Sequence, residues 1–399
     1  MPLNDVTITK VNGGLGRTNP STDMVSGLLA NGVAVVGGVQ LDVVYKLQRL
    51  DDAVALNIDA AYDTANNVLV YEHIKEFFRI NPNGVLWILL LAKTVSYADM
   101  VDKTIVTSAK KLLISANGDI NQLAVAFNPT TAVATDTALL AAIPKAQLLA
   151  AEEYDLHRPV HIILEGKGFD SANITNLHTL NVPNVSVMVG QSKTVAAISA
   201  HTNRYGAVGT LLGAVSLAAV NESVAWVRKF PLLGDNLQDF AIMNVASASL
   251  SESLKSNIND AGYIFFNRPA LRTNIYFNDT HTGAPLTSDF LYIENNRSIN
   301  KATRLIYDAL LDDLNAPVKV DPTTGKLPAV VIKSMEALGN KAIEEGMLRA
   351  DELSGFSFTI DENQNILSSS ELATELTLTP TGTARKITVK LGFSNPFNS

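Results

Sequence analysis

Residues 64–91, TANNVLVYEHIKEFFRINPNGVLWILLL, contain the pattern that decides the fold. In residues 64–79 the apolar side chains recur every three or four positions, which predicts a helix with one apolar face. Residues 81–84, NPNG, predict a turn. The run at residues 85–91 is apolar without alternation, and such runs are typical of strands that a sheet buries on both faces. The stretch therefore predicts a helix, a turn and a buried strand in succession.

The same alternation continues along the first two thirds of the chain. Apolar runs that are too short for helices alternate with longer stretches of helical spacing. Repeated βα units favour an α/β domain with a largely parallel sheet. The predicted strands cover residues 33–36, 120–127, 160–164 and 185–189, and the predicted helices cover 97–115 and 135–154.

The second part of the chain mixes short strands with two long helices, which is typical of an α+β domain. The predicted fold class is therefore α/β and α+β, multidomain: a βα-repeat domain, a C-terminal α+β core domain, and extended strand arms at both ends. The predicted strands cover residues 262–266, 273–278, 356–360, 372–378 and 386–391, and the helices cover 299–314 and 328–349. The predicted domains are an N-terminal arm and linker (1–30), an α/β domain (31–235), an α+β core domain (236–384) and a C-terminal arm (385–399).

Composition excludes several classes of function. The 399 residues include no cysteine, so disulfides, thiolate metal sites and thiol nucleophiles are ruled out. The net charge is −8 and no basic tail is present, which argues against nucleic acid as the main partner. The start of the chain lacks the pattern of a secretion signal. The apolar stretch at 206–220 is short for a membrane span and predicts a buried helix.

A glycine-rich segment near the start resembles part of a phosphate-binding loop. Gly13, Gly14 and Gly16 have the required composition, but a dinucleotide fingerprint needs a helix directly after the glycines. Arg17 and Pro20 lie in a sequence that cannot open such a helix. We therefore interpret the three glycines as a flexible hinge.

Two further motif fragments are incomplete. His157 and His161 have the spacing of metal ligands on a helix, but Pro159 between them indicates a strand. Asp361 begins a calcium-loop pattern in which Ile366 stands where glycine should make the turn, so a hairpin turn is the better interpretation. The sequence therefore predicts no catalytic group, metal or cofactor.

Both ends of the chain carry a short β-prone segment on a polar tether. Residues 6–9, VTIT, precede a linker rich in Gly, Asn, Pro and Thr, and residues 386–391, KITVKL, alternate like a strand. An isolated strand must pair with a sheet elsewhere, in its own chain or in another.

Several segments, in order, resemble the contractile tail sheath family, in the branch found in phage-like elements of Bacteroidetes-type bacteria. The similarity spans nearly the whole chain and lies in the order and spacing of the segments. They are PLNDVTITKVNGGLG (2–16), LVYEHIKEFFRINPNGVLWILLL (69–91), KKLLISANGDINQLAVAF (110–127), GAVGTLLGAVSLAAVNESVAWVRKFPL (206–232), GYIFFNRPALRTNIYFNDTHTG (262–283), YIENNRSINKATRLIYDALLDDL (292–314) and ARKITVKLGF (384–393).

The resemblance implies a structural subunit that stacks as hexameric rings around an inner tube and contracts to drive that tube through a target envelope. It implies four partners: other copies of the chain, an inner tail tube protein, a baseplate and a tail terminator. Neither nucleic acid binding nor membrane insertion is implied. Assembly would take place in a bacterial cytoplasm, and the product would be a virion tail or a released contractile particle.

In the resembled family the terminal arms add strands to the sheets of neighbouring subunits. By that resemblance the exchanged strands would contain Val6, Thr7 and Ile8 at one end, and Ile387, Thr388, Val389 and Leu391 at the other. Two alternatives stay open. One is an enzyme that binds a nucleotide or sugar at the carboxyl ends of a parallel sheet. The other is a different self-assembling protein, such as a capsid or surface-layer subunit.

Overall fold

A seven-stranded sheet is the frame of the first two thirds of the protein. The computed structural model describes residues 22–393 except 233 and 235–238. The strands of this and the smaller sheets are β1 (Val25–Gly32), β2 (Val44–Leu47), β3 (Val85–Ala92), β4 (Gln122–Ala126), β5 (His161–Glu165), β6 (Val185–Met188), β7 (Gln191–Ser192), β8 (Phe240–Ile242), β9 (Val245–Ala246), β10 (Tyr263–Ile264), β11 (Phe266–Asn267), β12 (Tyr276–Phe277), β13 (Leu353–Ile360) and β14 (Thr374–Pro380).

Helices cover both faces of this sheet, and two long helices lie in the second part of the chain. The described residues contain four short 3₁₀ turns, at residues 22–24, 177–179, 247–249 and 348–350. The remaining helices are α-helices. The α-helices are α1 (Leu50–Ala55), α2 (Ala60–Asn66), α3 (Val70–Ile80), α4 (Tyr97–Met100), α5 (Ala109–Ser115), α6 (Thr137–Asp155), α7 (Lys193–Ala196), α8 (Val208–Leu217), α9 (Glu252–Asp260), α10 (Ile293–Leu311), α11 (Ala329–Gly346) and α12 (Ile366–Ser369).

The strand order of the large sheet is β10-β6-β5-β4-β1-β3-β2. All neighbours are parallel except β2, which pairs antiparallel with β3 at the edge. The direction of winding reverses between β1 and β4, as in doubly wound α/β folds. The predicted α/β fold class is confirmed, and so is the buried apolar strand at 85–91.

Alternate residues of the central strands point into two apolar layers. Leu28 and Ile88 face the layer that contains α3 and α8. Leu29 and Leu89 face the opposite layer, which contains α4, α5 and α6. This burial on both faces explains why β3 reads as a continuous apolar run rather than as an alternating one.

Residues 293–380 form a smaller α+β unit. Helices α10 and α11 pack against each other and against an antiparallel hairpin of β13 and β14. The turn-rich residues 361–365 lie in the connection between those two strands, as the sequence predicted. The predicted domain boundaries stay predictions, although β10 shows that the large sheet recruits residues beyond 235.

The prediction of a first strand at 33–36 was wrong. The first strand is β1, whose sequence VSGLLANG contains two glycines and an asparagine and therefore resembles a loop. It is central because β3 and β4 pair with it on both sides. Residues 33–36 instead lead into a tight turn, where Val36 is 99% exposed and Gly37 has φ +73°.

The predicted helices over 64–79 and 97–115 are each divided in two. Asn67 adopts φ +53° and ends α2 before α3 begins. Between α4 and α5, the carboxylate of Asp102 accepts hydrogen bonds from both the amide and the hydroxyl of Thr104. Such local bonds compete with helical ones and break the helix.

Candidate assembly site at the C-terminal arm

Helix α10 presents a row of cations to the segments that flank the large sheet. Arg297, Lys301 and Arg304 follow the i, i+4, i+7 spacing of one helical face. Both arginines are largely buried and donate to main-chain carbonyl oxygens, and burial lowers the pKa of each. The carbonyl partners are those of Ala218 and Ala219 for Arg297, and those of Gly118, Ile120 and Pro159 for Arg304.

Lys301 links the segment before β1 to the segment before β13. Its ammonium lies 2.7 Å from a carboxylate oxygen of Asp23, just before β1, and 2.7 Å from one of Glu352, just before β13. All three side chains are less than one fifth exposed. Because charged groups are rarely buried unless paired, this triad fixes α10 between the sheet and the C-terminal hairpin.

An apolar groove runs between α10 and β14. It has a volume of about 530 Å³. From β14 it receives Leu376 and Leu378, both half-buried. The other walls come from α10, from the end of α6 and from the residues just after each helix: Tyr154, His157, Ile299, Ala302, Thr303, Ile306, Tyr307, Leu310, Leu311 and Leu314.

The chain leaves β14 at Pro380 and is held at two points. Asn221 donates its side-chain amide to the hydroxyl of Thr381 at 3.1 Å and to the carbonyl oxygen of Asp351 at 3.1 Å. Further along, Arg385 binds a pocket of acidic and aromatic side chains. Residues 381–385 have no regular secondary structure, so these two contacts define the path of the chain.

Arg385 occupies a compact charge cluster. Its Nε lies 3.1 and 3.2 Å from the two carboxylate oxygens of Asp279, and its Nη2 donates to Glu294. The centre of the guanidinium lies 3.2 Å from the centre of the Tyr292 ring. Glu294 is 3% exposed and also accepts a hydrogen bond of 2.6 Å from the hydroxyl of Thr280. Burial raises the pKa of Glu294, and the positive charge of Arg385 opposes that rise.

Beyond this anchor the chain is exposed. Ile387, Val389, Leu391 and Phe393 are 80%, 77%, 96% and 110% exposed, and they alternate with Lys386, Thr388 and Lys390. Within the described part of the chain, residues 386–393 form no hydrogen bond or ion pair. The predicted strand at 386–391 therefore has no pairing partner among the described residues.

Two family models together account for most of the chain. The N-terminal domain of DUF2586 matches residues 3–281, and the C-terminal domain of DUF2586 matches residues 289–398. The chain belongs to the DUF2586 family. Among curated proteins, no match was found.

Solved structures share the fold of this DUF2586 chain over almost its full length. The helical sheath of the anti-feeding prophage in its contracted state is 15% identical, with a TM-score of 0.63 and coverage of 99% of this chain and 100% of that one. The sheath of an extracellular contractile injection system, PVC, is 12% identical, with a TM-score of 0.60 and coverage of 100% and 99%. A sheath tail protein from Listeria innocua is 11% identical, with a TM-score of 0.54 and coverage of 89% and 95%. The predicted resemblance to contractile sheath proteins is confirmed as a likeness of fold.

The structure describes the predicted arm residues at the C-terminal end of the DUF2586 chain but not those at the other end. Ile387, Thr388, Val389 and Leu391 lie together on the exposed segment after the anchor. The predicted strand residues and hinge glycines of the other end lie outside the described residues: Val6, Thr7, Ile8, Gly13, Gly14 and Gly16.

Sequence reasoning missed the anchor itself. Arg385 and Glu294 are 91 positions apart, and Asp279 is 106 positions from Arg385. The only sequence feature that pointed to the anchor was Glu294, an acidic residue in the first turn of a long helix whose neighbouring residues are mostly buried. A lone acidic residue at such a position also fits a simple helix start, so the sequence could not indicate its partner.

The carboxyl edge of the large sheet is the place where an enzyme of this fold class would bind a nucleotide or sugar. At the reversal point between β1 and β4, Asn31 donates its side-chain amide to the carbonyl oxygens of Ala92 (3.0 Å) and Val95 (3.2 Å). Its side-chain oxygen accepts from the amide of Asn128 at 3.0 Å, and the Asn128 side chain returns a bond to the Asn31 carbonyl oxygen. The protein's own side chains therefore occupy this crevice.

Helix α8 is the apolar helix predicted to be buried, and every residue from Val208 to Ser216 is buried. None of the described helices is both long and apolar enough to cross a membrane. Among the described side chains, no three His, Asp or Glu residues lie close enough together to hold a metal ion.

Proposed function

We propose that this DUF2586 chain is the structural subunit of a contractile sheath. One observation carries the proposal: an anchored C-terminal arm ends in an exposed, alternating strand-like segment, while the same chain offers an open hairpin and an apolar groove. Full-length likeness in fold to sheath proteins supports it. The proposed role is structural and requires no cofactor.

The exposed segment has the chemistry of an exchanged strand. In an extended chain, Ile387, Val389 and Leu391 point to one face. Burial of each such side chain is worth about 1.5–3 kcal/mol, and main-chain hydrogen bonds add to this whatever the neighbouring side chains are. A monomer that leaves this face in water therefore gains by pairing with another copy.

We propose the free edge of β14 in a neighbouring subunit as the acceptor. Among the described strands, β14 pairs with β13 alone, so its other edge has main-chain groups free to pair with an added strand. An added strand would place its apolar face beside Leu376 and Leu378, over the groove against α10. Its other face carries Lys386 and Lys390, and one of these lysines would lie beside the exposed Glu375, an opposite-charge pairing that stabilises strand pairs.

Donor and acceptor lie on different parts of the same chain, so the contact is heterologous, and such contacts generate rings or helical assemblies. We propose that six-fold rings stack around an inner tail tube, with a baseplate and a terminator at the ends. The finer assignments of the N-terminal strand (Val6, Thr7, Ile8) and its hinge (Gly13, Gly14, Gly16) belong to the same proposal. So do the domain ranges, assembly in a bacterial cytoplasm, and a tail or released particle as the product.

Contraction would require two packings of the same subunits. The extended sheath would be the metastable packing, and its rearrangement would release energy at the interfaces between rigid cores. Exchanged strands keep the subunits connected during that change, because a flexible tether lets a paired strand stay bound while the body moves.

Deletion of residues 386–399 tests the proposal. This truncation keeps Arg385 and its anchor, so the subunit should stay folded by circular dichroism, while negative-stain micrographs should show no tubes. Deletion of residues 1–20 should have the same effect. Tubes of normal length from both truncations would contradict strand exchange, and closed shells or flat lattices from the full chain would favour a capsid or surface-layer role.

A further inference from the structure

The root of the C-terminal arm is fixed, whereas the strand that follows it is not. Only the residues between Pro380 and Arg385 separate the end of the hairpin from the anchor. All of them after Thr381 are exposed. Packing therefore does not explain why the arm follows one path, and the contacts of Arg385 must be the main constraint.

The chemistry of the anchor favours one geometry. A guanidinium is a planar donor, and here it meets two carboxylates on different elements: Asp279 after β12 and Glu294 in the first turn of α10. Stacking of the same group on Tyr292 fixes the remaining orientation, because a cation over an aromatic face is attracted to it. Charge-assisted hydrogen bonds of this kind are about twice as strong as neutral ones.

Loss of Arg385 would leave the buried carboxylate of Glu294 without its ion-pair partner. Glu294 is 3% exposed, and its other side-chain partner is the neutral hydroxyl of Thr280. Removing one partner of such a pair costs more than the pair itself contributes, because the remaining charge stays desolvated. The arm root is thus held in place because Arg385 neutralises the buried carboxylate of Glu294.

We propose that Arg385 is a positioning residue that latches the arm root to its own subunit and sets the point from which the exchanged strand departs. The inference rests on the proposed function and adds a division of labour within the arm. Residues up to 385 stay with the donor subunit, and residues from 386 onwards pair with the acceptor. A fixed departure point raises the effective concentration of the strand at the acceptor edge and lowers the entropy lost on pairing.

The latch can be tested on the unassembled subunit. Because the chain has no cysteine, spin labels can be attached at two introduced cysteines, Thr383→Cys in the arm root and Leu148→Cys on helix α6. Double electron–electron resonance should give a narrow distance distribution for this protein. Arg385→Gln and Glu294→Gln should broaden it, whereas Lys386→Gln, which removes a neighbouring exposed charge, should leave it narrow. Equal widths in all four proteins would overturn the latch.

The second measurement is assembly of the unlabelled variants. Arg385→Gln should raise the protein concentration needed for half-maximal tube formation by at least about tenfold. Arg272→Gln, which removes an exposed charge between β11 and β12, should change it by less than about twofold. A tenfold effect from both variants would show that surface charge in general, not the latch, matters. If the unaltered chain formed no tubes, the proposed function would fail, and the distance measurement would still decide whether the latch exists.

Discussion

Two histidines are buried inside the sheet domain, where desolvation makes protonation of the imidazole unfavourable. His161 on β5 contacts the hydroxyl of Ser186 on β6 at 2.9 Å, and burial lowers its pKa to about 3, with the nearby Arg297 adding to the effect. His73 on α3 is also buried, and its pKa is lowered to about 3 by burial and by the charge of Lys167. Both imidazoles therefore stay neutral in the folded protein at pH values at which they are protonated in the unfolded chain.

The sign of the pH dependence follows from these lowered pKa values. The unfolded chain takes up a proton at each imidazole near pH 6.5, and the folded chain does not until about pH 3, so stability present above pH 6.5 is lost as the pH falls. Each histidine contributes a slope of about 1.4 kcal/mol per pH unit in that window. We predict that His161→Gln reduces the slope of unfolding free energy between pH 4.5 and 6 by about that amount, measured by urea denaturation. His157→Gln, at an exposed position, is the matched control, and an equal reduction in both variants would contradict the assignment.

At the residue scale the sequence could exclude classes of catalytic and metal sites, but it could not predict which distant residues contact each other. The absence of cysteine and the incomplete motifs are local facts that need no fold. The contacts of Arg385 and of Asn31 instead depend on which segments the sheet and α10 bring together. A single sequence contains no signal for such pairs, because any buried acid or amide satisfies the local pattern equally well.

Helix α8 lies against α3 at a distance that only glycine permits. A Cβ atom placed on Gly209 would lie 2.2 Å from the carbonyl oxygen of His73, and one on Gly213 would lie 2.9 Å from that of Phe77. Both obstacles are backbone atoms, which cannot move aside as a flexible side chain can. The four-residue spacing of the glycines places both on the face that meets α3.

Gly209→Ala should therefore destabilise the protein although alanine favours helices. Overpacking against the backbone costs about 1–3 kcal/mol and outweighs a gain in helix propensity of about 1 kcal/mol at most. Guanidinium denaturation should show a lower midpoint with an unchanged slope. Gly382→Ala is the control, because a Cβ there would meet nothing within 4 Å. A midpoint at or above that of the unaltered protein for Gly209→Ala would show that α3 and α8 can separate without cost.

The elements that were predicted well are those whose environment is uniform along their length. Strand β3 is buried on both faces and α6 has a long apolar side, so local patterns were sufficient. Strand β1 was missed because its two glycines, Gly27 and Gly32, belong there only through close neighbours: Leu123 and Tyr62 approach within 2.9 and 2.8 Å of the position a Cβ would take. Tertiary contacts, not propensity, make that segment a strand.

On the scale of the whole molecule, α10 contacts each of the parts that the proposed assembly would use. Its first turn holds the arm root through Glu294, its middle joins β1 and β13 through Lys301, and its end lines the groove beside β14. The proposed donor root and the groove beside the proposed acceptor edge therefore both contact one helix. The sequence predicted the fold class, and the two tethered strands stay predictions. The helix that relates the proposed donor to the proposed acceptor could be recognised only in three dimensions.

A subunit without its strand but with an intact acceptor should terminate growth. The protein that ends at Arg385 keeps β13, β14 and the groove, so it can receive a strand and has none to pass on. We predict that about one truncated subunit for every ten full-length ones shortens the tubes markedly, since each heterologous chain of contacts stops where a donor is missing. Tube lengths in electron micrographs give the measurement. Addition of Arg272→Gln protein, which keeps both the strand and the acceptor edge, should leave the lengths unchanged. If the truncated protein also left the lengths unchanged, the open edge of β14 would not be the acceptor.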